Sequence, residues 1–460
     1  VAGYAFLLIA LMTTAAYLLG RGRGARIWAG GDGSKVHSLP GYHGAFVAAW
    51  VGIPAFILGL FWLFLQGPII DQFLIASLPT SMTDGATASQ INLLVSEIKN
   101  VAAGQVFKEP TPDIVAAAER YELWGQIARW AMIVVALAVM VVALSFARSR
   151  LAPRFRARNA FEHVLSGLMI FCSVVAIATT IGIVSSLVFE AWRFFTMVPV
   201  TEFLFGLRWE PQIALRDDQV AGLGAFGAIP VFTGTILIAF LAMLVATPIG
   251  IFTAIYLVEY SSDRARKIIK PIMEILAGVP TVVYGFFAVL TVAPAIREFG
   301  GLIGIAVSPN SAIAAGGVMG IMIIPFISSL SDDALNAVPR SMRDGSLALG
   351  ATPSETMIKV LLPAALPGIV GGVLLGVSRA IGETMIVVMA AGLIASLTLN
   401  PLDSVTTVTV QIVTLLIGDT EFDSPKTLAA FALGLVLFLV TLCLNVIALR
   451  IVRKYREQYD

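Results

Sequence analysis

Arg343 to Pro363, RDGSLALGATPSETMIKVLLP, is a polar segment set between long apolar ones, and how it is read decides the fold. It predicts two short helices broken at Gly350, with Pro353 opening the second at a first-turn position where no intrahelical N–H is needed. Leu347, Leu349, Met357, Val360 and Leu361 give the pair apolar faces, and Ala348 and Ala351 keep the bend narrow. In so hydrophobic a chain, a compact helical loop with apolar faces of its own predicts a docking surface for a soluble partner.

Hydrophobic residues make up 58% of the 460 residues and charged ones 13%, with a mean hydropathy of +0.90. Soluble domains sit at about 45–50% and about 25%, so the composition predicts an all-α polytopic membrane protein. A spanning helix needs about 20 apolar residues. Runs of that size lie near 2–19, 45–65, 125–147, 164–189, 229–258, 273–296, 312–330, 364–397 and 428–449, which predicts nine spans. The first carries no basic leading region, and Arg21 and Arg23 follow it where small residues would mark a cleavage site, so it is read as a mature span.

Charge orients the spans. Clusters such as Arg21–Lys35, Arg148–Arg158, Arg264–Lys270, Arg340–Lys359 and Arg450–Arg456 hold most of the 30 Lys and Arg residues, and alternation puts them all on one side. The opposite loops carry mainly acid, including Asp71, Glu97, Glu109, Asp403 and Glu421. The positive-inside rule then places the basic loops, the docking loop among them, and the C-terminus in the cytosol, with the N-terminus outside. Cys172 and Cys443 lie in apolar spans and are read as small hydrophobes packed between helices, with no disulfide. His37, His43 and His163 form no ligand spacing, and no metal site is expected.

Two regions are expected. Residues 1–160 form an N-terminal extension with three spans and a helical external loop at about 67–124. There Ile91, Leu94, Val95, Ile98 and Val101 recur at helical spacing, and Thr111-Pro112-Asp113 starts a helix that runs without a break into the third span, to Ala147. The 88–103 helix should pack against the projecting part of that long helix as a hairpin. Residues 161–460 form a six-span domain with the cytosolic loop at about 333–363, interrupted at Pro248, Gly278, Pro280, Pro325, Gly371, Gly372 and Gly382. Each break alone reads as a kink or a close contact. Their concentration points to a pathway, because broken backbone inside a membrane survives only where protein or a wet cavity satisfies it.

The loop resembles the one found in permease subunits of bacterial ABC importers: Glu-Ala-Ala, a Gly after three more residues, then Ile-x-Leu-Pro. Asp344, Gly345 and Ser346 take the first three places, Gly350 the glycine, and Val360, Leu362 and Pro363 the end, with the opening triplet and the Ile substituted. From Trp209 onward the chain resembles the PstC-type permeases of phosphate-specific importers. The resembling segments are WEP at Trp209–Pro211, FGAIPVFTGT at Phe226–Thr235, AIYLVEYS at Ala254–Ser261, GVPTVVYGFFA at Gly278–Ala288 and SRAIGET at Ser378–Thr384.

The resemblance implies a six-helix, MetI-like permease core in the bacterial inner membrane, here preceded by three extra transmembrane helices. It implies pairing with a PstA-type sister permease, two PstB-type ATPase subunits and a periplasmic PstS-type phosphate-binding protein. It also implies that this chain binds no cofactor, ATP and Mg being used by the ATPase. The chain has no GxxxxGK[ST] phosphate loop, so a translocation subunit is expected rather than an enzyme. A permease for molybdate, sulfate or phosphonate stays open as an alternative, and a secondary transporter would share the hydropathy without needing the docking loop.

Arg379 and Glu383 lie four apart, on one face of the helix expected over 364–397, well inside an apolar run. A charge near mid-bilayer costs at least about 2.5–3.5 kcal/mol, so each should face the bundle interior or a cavity and have a partner. They make either a structural ion pair or an anion contact in which Arg379 attracts phosphate oxygens and Glu383 limits how tightly they bind. Ser378 and Thr384 are secondary candidates in the same motif, and the resemblance implies phosphate passage at the Arg and Glu.

Overall fold

The computed structural model describes residues 2–29, 37–79, 82, 88–105, 110–153, 155–212, 224–417 and 424–455. Among these, nine helices are long and apolar enough to cross a membrane. The chain forms two compact units, Val1–Ala178 and Thr179–Asp460, and the division falls inside one long helix.

The first unit contains α1 (Ala2–Ala29), α2 (Pro40–Ala76), α3 (Ala88–Ala102) and α4 (Pro112–Ser149). Small residues let α1 and α2 approach closely, since a Cβ on Gly44 would lie 2.8 Å from the Tyr17 carbonyl oxygen and one on Gly52 2.8 Å from the Thr13 side chain. Where lipid removes any hydrophobic drive between helices, such backbone approach supplies the packing energy. The expected hairpin is present: Val95 and Ile98 of α3 pack on Ile114, Ala117 and Ala118 of α4 and on Leu74 of α2. Lys99 adds an ion pair to Asp71 at 2.8 Å. At 38 residues, α4 is about 57 Å long, well beyond a hydrocarbon core of about 30 Å.

The division runs through α5 (Ala157–Met197). The second unit continues with α6 (Val200–Phe205), strands β1 (Trp209–Glu210) and β2 (Ala225–Phe226), and α7 (Ile229–Ile255). The strands pair antiparallel, Trp209 with Phe226. Next come α8 (Asp263–Ala277), α9 (Thr281–Phe287), α10 (Ala293–Leu302), α11 (Ala312–Asn336), α12 (Arg340–Ala348) and α13 (Pro353–Thr356). The last elements are α14 (Leu362–Ile381), α15 (Met385–Ala390), α16 (Val408–Leu416) and α17 (Pro425–Tyr455). Three π-helical turns, Tyr256–Tyr260, Ala288–Val292 and Met357–Leu361, extend or join these helices. The core centres on α7 and α11, with Ile238, Ala242, Met319, Ile323 and Ile327 buried beside Tyr284 and Ile386.

Two expected spans are corrected. The sixth opens at Thr281, not near 273, because Gly278 and Pro280 separate it from α8, a helix with four basic residues and no fully buried position. The eighth is a helix from Pro353 to Ile381 and does not reach 397. Gly382 ends it, α15 follows after a break, and residues 391–407 return without regular helix. Cys172 and Cys443 are exposed on their helices rather than packed between them.

Candidate transport site and docking elbow

The loop at 340–363 folds as a hinge of two helices. α12 ends at Ala348, and Gly350 then takes φ +86°, a left-handed conformation that disfavours any Cβ. Thr352 caps α13 reciprocally: its hydroxyl accepts from the Glu355 N–H, and a Glu355 carboxylate oxygen accepts from the Thr352 N–H at 3.0 Å. A hydrogen bond of 2.9 Å between the Ser346 and Thr356 hydroxyls ties the two arms. Arg343 donates to Glu259 at 3.0 Å; that carboxylate is 2% exposed and lies in the π turn after α7.

The apolar residues of the loop divide between two directions. Met357 and Leu361 turn inward, packing with Ala254, Leu335, Ala365 and Ile369, and Leu362 lies half-buried against them. Leu349, at 92% exposed, stands at the tip of the elbow, with Ala348 and Gly350 exposed around it. Asp344, Gly345 and Pro363 are exposed, whereas Ser346, Ala351 and Val360 are partly covered. Ile358, which the sequence reading passed over, is 61% exposed.

From this elbow one helix runs for 29 residues, Pro353 to Ile381, and carries Arg379 close to its far end. Glycines seat it on α11: Cβ atoms on Gly368 and Gly372 would come within 2.7 Å and 2.9 Å of the Ala334 and Leu330 side chains. Arg379 then meets Phe326 of α11, its guanidinium carbon 5.7 Å from the ring centroid, a cation–π contact. The residue is exposed and lines a cavity of about 270 Å³ together with Lys270, Glu274, Ser329 and Asp332.

The expected shared helix face of Arg379 and Glu383 is not formed. The helix stops at Ile381, so Glu383 lies beyond it, and no ion pair joins the two among the described residues. Instead the Glu383 carboxylate accepts from the Met385 N–H at 3.1 Å and so starts α15. Its backbone carbonyl accepts from the Thr409 hydroxyl at 2.9 Å. The broken run 382–407 is therefore held by polar groups: Gln411 donates to the Leu393 carbonyl at 2.7 Å, and Thr235 accepts from the Val408 N–H at 3.0 Å. Ser378 and Thr384 are both half-buried, and Thr384 caps α15 with its backbone.

Sequence reasoning missed Phe326, Lys270 and Asp332. Asp332 is 4% exposed and is held by Arg266 at 2.8 Å and Lys270 at 2.9 Å, both from α8. The signal was present, since Arg266 and Lys270 are four apart on a short amphipathic helix and Asp332 is an acid in an apolar span. The WEP and FGAIP motifs also acquire a structural role. Trp209, 5% exposed, donates its indole N–H to Gln411 at 2.8 Å and packs edge-to-face on Phe203 and Phe226.

Comparisons with known proteins bear on both units. Residues 6–179 match a family described as "Phosphate ATP-binding cassette transporter". Residues 246–457 match "Binding-protein-dependent transport system inner membrane component". A probable ABC transporter permease protein, YqgH, of Bacillus subtilis is 35% identical over 59% of this chain and 84% of the relative. The phosphate transport system permease protein PstC 1 of Mycobacterium bovis is 31% identical over 55% of this chain and 81% of its own. PstC of Pasteurella multocida is likewise 31% identical, over 59% and 85%. A solved methionine ABC transporter overlaps 50% of this chain and 95% of its own at a TM-score of 0.37 and 18% identity. With nine membrane-length helices among the described residues and PstC relatives at 31% identity covered along more than four-fifths of their length, the chain belongs to the PstC family of ABC importer permeases.

Proposed function

We propose that this chain is the translocating permease of an ATP-driven importer carrying inorganic phosphate from the outer face of a bacterial inner membrane to the cytosol. The observation that carries the reading is the continuous helix from Pro353 to Ile381, which joins a solvent-exposed elbow at one end to a cavity-lining arginine near the other. From Pro353 to Arg379 that rod is about 39 Å long at 1.5 Å per residue. A partner that pushes on Leu349 and Gly350 moves Arg379 with it. Arg379 attracts the oxyanion, and Glu383, fixed by the α15 amides, shapes the turn beside it.

The ATP chemistry belongs to a pair of PstB-type ATPases that grip the elbow, with Mg, and this chain is non-catalytic. A PstA-type permease completes the pathway, and a PstS-type binding protein delivers phosphate at the outer face. The basic loops and the C-terminus are cytosolic and the N-terminus external. Residues 1–160 are an accessory module of the 161–460 permease.

Radiolabelled phosphate uptake by the assembled complex, with sulfate, molybdate and phosphonate as competitors, tests the reading. Uptake displaced by excess phosphate but not by the others is expected. Transport of a different oxyanion in preference to phosphate would overturn the substrate, and copurification without an ATPase would overturn the class.

A further inference from the structure

We propose that Lys270 is a second anion-binding residue on the pathway, receiving the oxyanion as it leaves Arg379 toward the cytosol, with Asp332 as the counter-ion that the transported ion displaces. The inference rests on the transport reading above and adds a step and two residues to it.

The argument starts from how Asp332 is satisfied. The side chain is 4% exposed, so its carboxylate depends on partners within the protein. Arg266 supplies two of them, one nitrogen donating to both oxygens at 2.8 and 3.1 Å, and Lys270 a third at 2.9 Å. If Lys270 lets go, both Asp332 oxygens keep their bonds to Arg266. Lys270 is thus the exchangeable partner of the pair. Its ammonium has three donors and only one hydrogen bond to a protein acceptor among the described residues, and its side chain is 36% exposed.

Lys270 and Arg379 line the same cavity of about 270 Å³. That is about nine times the liquid volume of a water molecule, room for an oxyanion with part of its hydration. Arg379 lies against Phe326, and Asp332 is six residues further along α11, about 9 Å on toward the loop end of that helix. Ser329, between them on α11, is exposed to the cavity and its hydroxyl makes no hydrogen bond within the described chain. A tetrahedral oxyanion can accept from Lys270 and Ser329 as its bond to Arg379 lengthens.

The acids set how long it stays. Lys270, Arg266 and Arg379 face Asp332 and Glu274, so the neighbourhood holds one surplus positive charge when Asp332 retains Arg266. A single surplus cation attracts an oxyanion without trapping it. Once the ion moves on, Asp332 recaptures Lys270 and the α8–α11 contact closes again.

The test uses the complete transporter in proteoliposomes, with uptake normalised to assembled complex. Lys270→Met keeps the Arg266–Asp332 pair, and so the tie between α8 and α11, while removing the receiving cation. Its rate is expected to fall by about 10- to 100-fold, the worth of one hydrogen bond to a charged group. Lys270→Arg, which keeps the cation, is expected to retain most of the rate. Inorganic phosphate at the cytosolic face should slow import by the wild type, and Lys270→Met should relieve that inhibition. A Lys270→Met complex with the wild-type rate and unchanged inhibition would overturn the proposal, as would loss confined to yield or thermal stability. If the wild type carries sulfate or molybdate instead, the phosphate reading fails by itself, and the same variants measured with that ion still decide the role of Lys270.

Discussion

Replacing Gly350 tests the elbow in isolation, because the structure separates its two possible costs. A Cβ built there meets nothing within 4 Å, so crowding contributes nothing. The backbone is at φ +86°, however, where a residue with a Cβ pays about 1–2 kcal/mol. Gly350→Ala should therefore weaken the bent form by about 5–30-fold, Gly350→Asn by less, since Asn enters this region most easily, and Gly350→Val by more. Because neither arm loses a contact, the permease should fold and melt as before. Only partner affinity should follow the series Gly, Asn, Ala, Val, measured as ATPase retained on detergent-solubilised permease. Equal retention by all four would refute the bend as the docking determinant. An equal loss of fold stability would instead mean that the elbow is structural.

Arg379→Gln should abolish phosphate uptake while the assembled complex keeps its ATPase, since the arginine lines a cavity and makes no ion pair among the described residues; normal uptake by an assembled variant would contradict the assignment. Glu383→Gln keeps an oxygen for the Met385 N–H and should leave the fold intact while weakening discrimination against sulfate, read in competition uptake. Arg343→Met strands the 2%-exposed Glu259 carboxylate, so thermal stability should drop by about 1–3 kcal/mol and be partly restored by adding Glu259→Gln. Deleting residues 1–147 should leave some uptake in a folded, ATPase-bound complex, and complete loss there would place the extension in the transport cycle.

The elbow was legible because its determinants are local. Gly350, Pro353 and the Thr352–Glu355 box lie within six residues, and each acts on its own backbone neighbourhood. The α3–α4 hairpin was legible for the same reason, its apolar residues recurring at helical spacing on both arms. Arg379 and Glu383 were found as charges in an apolar run, but their relation was misread. Hydropathy counts composition, and 382–397 is apolar enough to pass for the end of a helix. Gly382 marks the break locally, but what holds the run open afterwards is tertiary: Thr409 and Gln411, from α16, donate to the freed carbonyls of Glu383 and Leu393. Lys270 and Asp332 are 62 residues apart, and no spacing rule joins them.

Under the proposed coupling, the glycines on α14 are what would carry a push at the elbow to Arg379. Gly368, Gly372 and Gly376 recur every four residues on the face toward α11, opposite Ala334, Leu330 and Ile327 in turn. That period keeps one stripe of the helix bare and brings the two backbones together along more than two turns. A side chain added at Gly368 or Gly372 would hold the helices apart, so a displacement of α14 is set by α11 along that part of the seam rather than absorbed by loose side chains. The seam ends where Arg379 meets Phe326, one residue short of Ile327. Arg379, the first charged residue beyond the glycine stripe, is therefore the one that lines the cavity.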